Sequence, residues 1–299
     1  MEVMHSSNMV KAENDLDRLC KYEPDFLCES GSRLYGTNTP MSDYDLRGFV
    51  FPPFEYLLDI KQFKCRELDG DHKIYNVKYF LQLVLKGDPQ CTELLFADKK
   101  HIKAKTKLGG YILAMKDDLI SNAIFSRIMG YSNSEWRKAM GIKVVPIKRK
   151  KDKQDIVDEI RNIYHPSKDD MDGLLEYIDA FDKMVTVSSI ESLGTRRRED
   201  FGTYGYSRKN AAHSIRLVTQ VTELMESGTL IFPRPNVDLL MKIRKGELSK
   251  DEVQEVYDEV VAVAEKGRKT SVLPDKPNRN RIWDRYTEIV ANVIFLRIC

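Results

Sequence analysis

Residues 25–51 read DFLCESGSRLYGTNTPMSDYDLRGFVF. The run opens with apolar residues suited to a strand and passes through GSRLYG, enough for one short helix. It then crosses the turn-rich TNTPMSD and closes in YDLRGFVF, a second strand. On a strand successive side chains alternate, so Asp43 and Asp45 share a face, roughly 6–7 Å apart along the chain. Two carboxylates at that spacing suit one or two hard cations. Ahead of them, Gly31-Ser32 opens the short helix with backbone N–H groups and a hydroxyl, and a residue without a Cβ lets a phosphate approach the main chain. Phosphoryl transfer asks mainly for positioning and charge neutralisation, supplied by two cations about 3.5–4 Å apart. Taken alone, Ser42-Asp43 is a turn and Asp45 a solvent-facing strand residue; the Gly-Ser at this distance argues for the chemical reading.

Downstream, FKCRELDGDHKIYNVKYF holds a Gly-Asp turn between two runs of strand-forming residues, the pattern of a hairpin. It leads into KYFLQLVLK, apolar at helical spacing. Beyond about Lys107 long windows carry helical periodicity, including LGGYILAMKDDLISNAIFSRIMGYSNSEWRKAM and KNAAHSIRLVTQVTELMESG. The chain therefore divides into a catalytic domain over 1–106 and a mainly helical domain over 107–299. Near the end, Ser249 is placed as an N-cap with Glu252 three residues on, and Gly267 is expected to follow the last turn of that helix. In the helix beginning near Ser207, Lys209, His213, Arg216 and Gln220 fall at i, i+4, i+7 and i+11, within roughly 60° of one another. Ala211, Ile215, Val218 and Met225 lie on the opposite side. Such a stripe is either a solvated basic face or a set of groups that reaches a triphosphate.

The 299 residues are 42% hydrophobic, enough to bury a core without outside help. Lys and Arg number 48 against 46 Asp and Glu, for a formal net charge of +2. Nucleic acid, if bound, must then meet local basic patches. Two are candidates: IKRKKDKQD around 148–153, otherwise a solvated segment, and Arg196-Arg197-Arg198 ahead of FGTYGY, otherwise a surface loop. Five widely spaced cysteines with no Cys-x-x-Cys suggest neither a disulfide framework nor a zinc site. No signal peptide or membrane span is visible, so the expectation is a soluble, cytoplasmic protein with no membrane partner. His5, His72, His101 and His165 have no metal-site spacing. Neither a Walker loop nor G-x-G-x-x-G is present, which removes the main support for ATPase and dinucleotide-oxidoreductase readings.

The segment GSRLYGTNTPMSDYDLRGFVFPP resembles the signature of the polymerase β type nucleotidyltransferases. More narrowly, the chain is similar to the predicted phage and bacterial nucleotidyltransferases of the RNA-ligase-associated group. DHKIYNVKYFLQLVLKGDPQCTELLF matches that group's pattern, with Asp88 where Asn is usual, and so do FSRIMGYSNSEWRK, YGYSRKNAAHSIRLV and SVLPDKPNRNRI. The resemblance covers most of 25–290. It implies an α+β fold, in which a polymerase β-type core with a small mixed sheet precedes a helical domain that closes over the nucleotide. It further implies transfer of a nucleoside monophosphate from a nucleoside triphosphate to an acceptor hydroxyl, with two Mg²⁺ or Mn²⁺ ions held by Asp43, Asp45 and a third carboxylate. Asp71 aligns with the group's Asp but sits at a Gly-Asp turn where Asp also serves the backbone; Glu67, Asp69 and Glu93 are alternatives. Gly31 and Ser32, with Arg33 (and Lys78) close by in sequence, and Lys209, His213 and Arg216 from the helical stripe, are the nucleotide-binding candidates. The acceptor expected from the resemblance and the basic patches is an RNA or tRNA end. The alternatives are a small-molecule or protein hydroxyl, or a fold that has lost catalysis and serves as a nucleotide sensor or RNA-binding module.

Overall fold

The computed structural model describes residues 24–58, 60–68, 72–144, 185–187 and 195–298. They fall into two compact units, Met1–Ser132 with Ala212–Cys299, and Asn133–Ala211. The first is α+β and begins with β1 (Phe26–Glu29), α1 (Gly31–Tyr35) and β2 (Leu46–Val50). After α2 (Phe54–Leu57) come β3 (Cys65–Leu68) and β4 (His72–Asn76), the expected hairpin, and then α3 (Val77–Leu85) and α4 (Pro89–Leu94). A short 3₁₀ turn at Lys99–His101 leads into β5 (Ile102–Lys105).

The five strands form one mixed sheet in the order β3-β4-β2-β1-β5. Only β2 and β4 are parallel, with Arg47 opposite Lys73 and Val50 opposite Asn76; the other neighbours are antiparallel. Alternation along β1 and β2 splits the apolar residues between two faces. Phe26 stacks on Phe49 at 5.5 Å and Phe49 on Phe80 of α3 at 4.7 Å, which seats that helix on the sheet. Leu27, Leu46, Val50 and Ile74 form a second buried cluster, closed by Tyr44, Phe63 and Ala104. Both connecting helices are capped by their own sequence: Asn76 accepts from the Lys78 N–H and Asp88 from the Cys91 N–H, each at 2.9 Å. Asp caps a helix as well as Asn does, so Asp88 in place of Asn leaves this helix start unaltered.

The rest of this unit is helical: α5 (Lys107–Leu113), α6 (Lys116–Leu119), α7 (Ile124–Ala139), α9 (Arg208–Ser227), α10 (Val237–Lys245), α11 (Lys250–Lys269) and α12 (Arg279–Ile298), with α7 and α9 running on past its limits. The capping box of Ser249 and Glu252 is present at the start of α11. Its end differs from expectation. The helix continues through Gly267 to Lys269, so this glycine lies buried inside the helix, near Thr222 and Glu226 of α9, and is not its cap. In the second unit, β6 (Ile142–Val144) pairs antiparallel with β7 (Val185–Val187), and in α8 (Thr195–Tyr204) Asp200 binds Arg208 at 2.9 Å. No helix among the described residues is long and apolar enough to cross a membrane.

Candidate active site

Strand β2 starts at Leu46, later than the sequence suggests, and 42–45 lie in no regular element. The antiparallel pairing nevertheless runs one step further, because the Ser30 N–H donates to the Asp45 carbonyl at 2.9 Å. That bond holds Asp45 opposite the turn into α1. Gly31 makes this turn at φ +63, and a Cβ built on it would stand 2.1 Å from Asp45 Oδ2. The carboxylate thus lies directly against the Gly31 backbone, in space that any other residue would fill. The loop ahead is closed on itself, with Ser42 Oγ accepting from the Thr39 N–H at 2.8 Å. Asp43 follows, exposed, and Tyr44 between the two acids packs inward on the Leu27 cluster. Ser32, half-buried, offers its carbonyl to the Thr37 N–H at 2.9 Å.

Cationic groups surround this turn. The Arg33 guanidinium stands 5.0 Å from the Tyr44 ring centre, and its Nε and Nη2 are buried without a hydrogen-bond partner among the described residues. Arg47 donates through Nε to Ser30 Oγ at 3.2 Å and through Nη1 to Gln90 at 2.7 Å. Burial works against its charge, but Tyr75, Tyr35 and Asp45 outweigh burial and raise its pKa. Glu29 accepts from Tyr44 at 2.9 Å and Lys103 at 2.7 Å, with His101 Nδ1 at 2.9 Å. Burial would push its carboxyl up, yet the hydrogen bonds from Lys103, His101 and Tyr44 hold it below the usual range. His72 serves the backbone, since its Nδ1 accepts from the Leu46 N–H at 3.1 Å, at the point where β2 begins.

The candidates from the α9 stripe are placed differently from one another. Arg216 is 4% exposed and Gln220 2%, and both bind Glu93, itself 2% exposed, at 2.6 Å and 3.1 Å. Arg216 also bonds Gln220, and it covers the Tyr35 ring at 3.8 Å while the Tyr35 hydroxyl donates to Glu93 at 2.6 Å. Burial pushes the Tyr35 phenol well up. At Arg216 and Gln220 the polar side of α9 is enclosed, so the Arg216 charge is balanced by a buried carboxylate. This network grips α1 from its C-terminal end, where the Arg234 N–H also donates to the Tyr35 carbonyl at 3.0 Å. His213 is half-buried on the same helix, and Lys209, exposed, belongs to the second unit.

Of the third-carboxylate candidates, Glu67 is exposed and paired with Lys73 at 2.5 Å, and Glu93 is committed to Arg216. Asp69 and Asp71 lie outside the described residues, as do 148–153, and of Arg196-Arg197-Arg198 only the Arg198 side chain is described, exposed. Among the described residues no three His, Cys, Asp or Glu side chains gather as a metal site. The Glu29–Tyr44–Lys103–His101 cluster and the Glu93 network were not read from the sequence; both join residues 15 to 127 positions apart, which no local pattern reports.

Residues 13–278 match the family model described as the RNA repair pathway DNA polymerase beta family. The chain is also similar to an uncharacterized 38.9 kDa protein from the nrdC-mobD intergenic region of Enterobacteria phage T4, at 22% identity over 290 residues, covering 77% of this chain and 85% of the phage protein. No solved structure gives a significant match.

Proposed function

The chain belongs to the RNA repair pathway DNA polymerase β family, and from that premise we propose a metal-dependent nucleotidyltransferase that moves a nucleoside monophosphate from a nucleoside triphosphate to an RNA end. The observation that carries this reading is the Asp45 carboxylate lying against Gly31 at the Gly-Ser turn. A phosphate brought to that turn meets a carboxylate, and the two anions repel unless cations stand between them. Asp43 and Asp45 are oxygen donors of the hard class, and the absence of a Cβ at Gly31 lets the Asp45 carboxylate stand at the turn, so these residues fit Mg²⁺ or Mn²⁺, with Asp71 as the third ligand of the proposal. Such ions, when bound, supply charge neutralisation and a lowered pKa for the attacking hydroxyl.

The chain's own groups do the positioning. Gly31 and Ser32 donate backbone N–H groups and a hydroxyl to the triphosphate. Arg33 turns its unpartnered Nε and Nη2 to phosphate oxygens, which satisfies donors that are costly to bury unmade. Arg47 keeps a fixed positive charge beside Asp45. The acceptor hydroxyl oxygen attacks the α-phosphorus in line and its proton passes to water. The bond from the α-phosphorus to the bridging oxygen breaks, and pyrophosphate leaves with the electron pair.

The test is incubation of the protein with Mg²⁺ or Mn²⁺, each α-³²P-labelled nucleoside triphosphate in turn, and pooled tRNA. Label on RNA together with pyrophosphate release is the expected result. Pyrophosphate without labelled RNA moves the acceptor to a small molecule or protein, and nucleotide binding with neither signal favours a sensor. The Asp43→Asn/Asp45→Asn variant is expected to be inactive with an unchanged thermal melt; transfer by that variant overturns the site.

A further inference from the structure

Residues 99–107 read KKHIKAKTK, five lysines and no acid in nine positions. The structure puts them along one border of the sheet: Lys99 and Lys100 in the 3₁₀ turn, Lys103 and Lys105 on β5, Lys107 at the start of α5. Among the described residues strand β5 is an edge, paired only with β1. Two of the five are partly neutralised, Lys100 by Asp98 at 3.6 Å and Lys103 by Glu29 at 2.7 Å. Lys99, Lys105 and Lys107 are exposed and make no ion pair among the described residues. Beside them Tyr111, 47% exposed, lies under Lys107 at 5.9 Å, an aromatic face within a basic border.

The inner end of this border reaches the candidate site. Lys103 Nζ stands 5.9 Å from the centre of the Tyr44 ring, Arg33 lies on the same ring, and Tyr44 separates Asp43 from Asp45. Here His101 Nε2, like Arg33 Nε and Nη2, is buried without a partner among the described residues. A polyanion laid along β5 would meet exposed lysines first and the buried Arg33 nitrogens last, next to the acids proposed for catalysis. The β1–β5 register shifts between Leu27 and Cys28, so Lys103 sits at an irregularity of the strand, while Lys105 pairs opposite Phe26. A row of cations with an exposed ring is the chemistry that tracks single strands, the cations on the backbone and the ring under a base.

We infer that the β5 border, from Lys99 to Lys107 with Tyr111, is the track for a single-stranded RNA acceptor whose end is delivered to Asp43 and Asp45; this rests on the nucleotidyltransferase reading above. The competing explanation is that the lysines guard the edge against pairing with another strand. The experiment is fluorescence anisotropy of an end-labelled, mixed-sequence, single-stranded RNA across a salt series. It compares wild type with Lys99→Gln/Lys105→Gln/Lys107→Gln, and both are run on a sizing column. The track predicts at least a tenfold loss of affinity at low salt and a shallower salt dependence, by about 2 in slope for three lost phosphate contacts, with the variant remaining the size of wild type. Lys105→Glu alone, a single exposed change, should give the same direction if the triple variant folds poorly. Unchanged affinity and slope overturn the track, and a variant that binds RNA normally but self-associates assigns the lysines to edge protection. Wild type that releases pyrophosphate from a nucleoside triphosphate but binds no RNA also overturns the track and leaves the transferase standing. Variant-sensitive RNA binding without nucleotide chemistry supports the track and overturns the transferase.

Discussion

Replacing Gly31 by Ala tests the central contact, because two costs of different kinds fall on that one methyl group. The first is backbone strain: φ is +63, in the left-handed region, where an L-residue loses about 1–2 kcal/mol. For a chain of this size that is a fall of a few degrees in Tm. The second is displacement. The new Cβ would stand 2.1 Å from Asp45 Oδ2, and ordinary contact, from 3.4 Å, requires the carboxylate to move out by more than 1 Å. A shift of that size in a group that positions reacting atoms costs on the order of 10²-fold in turnover. Gly31→Ala is therefore expected to melt a few degrees lower and to lose about 100-fold in kcat for pyrophosphate release. Gly36→Ala is the control. It sits at φ +77 at the other end of α1, and its Cβ would meet Pro233, not a carboxylate, at 2.6 Å. It should lose comparable stability and much less turnover. Wild-type kcat in Gly31→Ala, or equal losses in both variants, would refute the argument that Asp45 is held in place by the absence of a side chain at 31.

Arg33→Ala removes a charge-assisted contact worth about 1.5–3 kcal/mol, so the nucleotide KM should rise about 10- to 100-fold in steady-state assays, and an unchanged KM removes Arg33 from the nucleotide site. Glu93→Ala leaves Arg216 buried without its carboxylate and should cost about 3–5 kcal/mol in urea unfolding; a midpoint equal to wild type would show that the pair contributes nothing. The lowered pKa of Glu29 fixes the sign of a pH effect. Its contribution is fully present above the unfolded carboxyl pKa of about 4.3 and is lost as pH falls through the lower folded value. Glu29→Gln should flatten the loss of stability below about pH 4.3 in denaturant titrations, and an acid response identical to wild type would remove Glu29 from that role.

Much of the fold was legible because its first unit is built from local rules. Alternating apolar residues made β1 and β2, β3 and β4 pair antiparallel as the expected hairpin, and Asn76, Asp88 and Ser249 each capped the helix that follows them. Sequence puts Gly31 and Asp45 in one motif, but that the Asp45 carboxylate lies against Gly31 rests on a ladder bond from Ser30 that only the structure shows. What escaped was every property that depends on the partner. Lys209, His213, Arg216 and Gln220 have one helical spacing, yet Lys209 is exposed while Arg216 and Gln220 are enclosed with Glu93, more than 120 positions away. A stripe of polar side chains reads identically whether water or a buried carboxylate faces it, since periodicity records direction and not what lies in that direction. Gly267 escaped because a glycine near a helix end is also tolerated inside the helix, which here runs on to Lys269. The same ambiguity runs through KKHIKAKTK. Alternation in sequence says that lysines line a strand, but whether they repel a neighbouring strand or receive a polyanion depends on where the border ends. At Lys103 it reaches Tyr44, between the two acids, and a purely protective edge has no need of the Arg33 nitrogens that are buried there without a partner among the described residues.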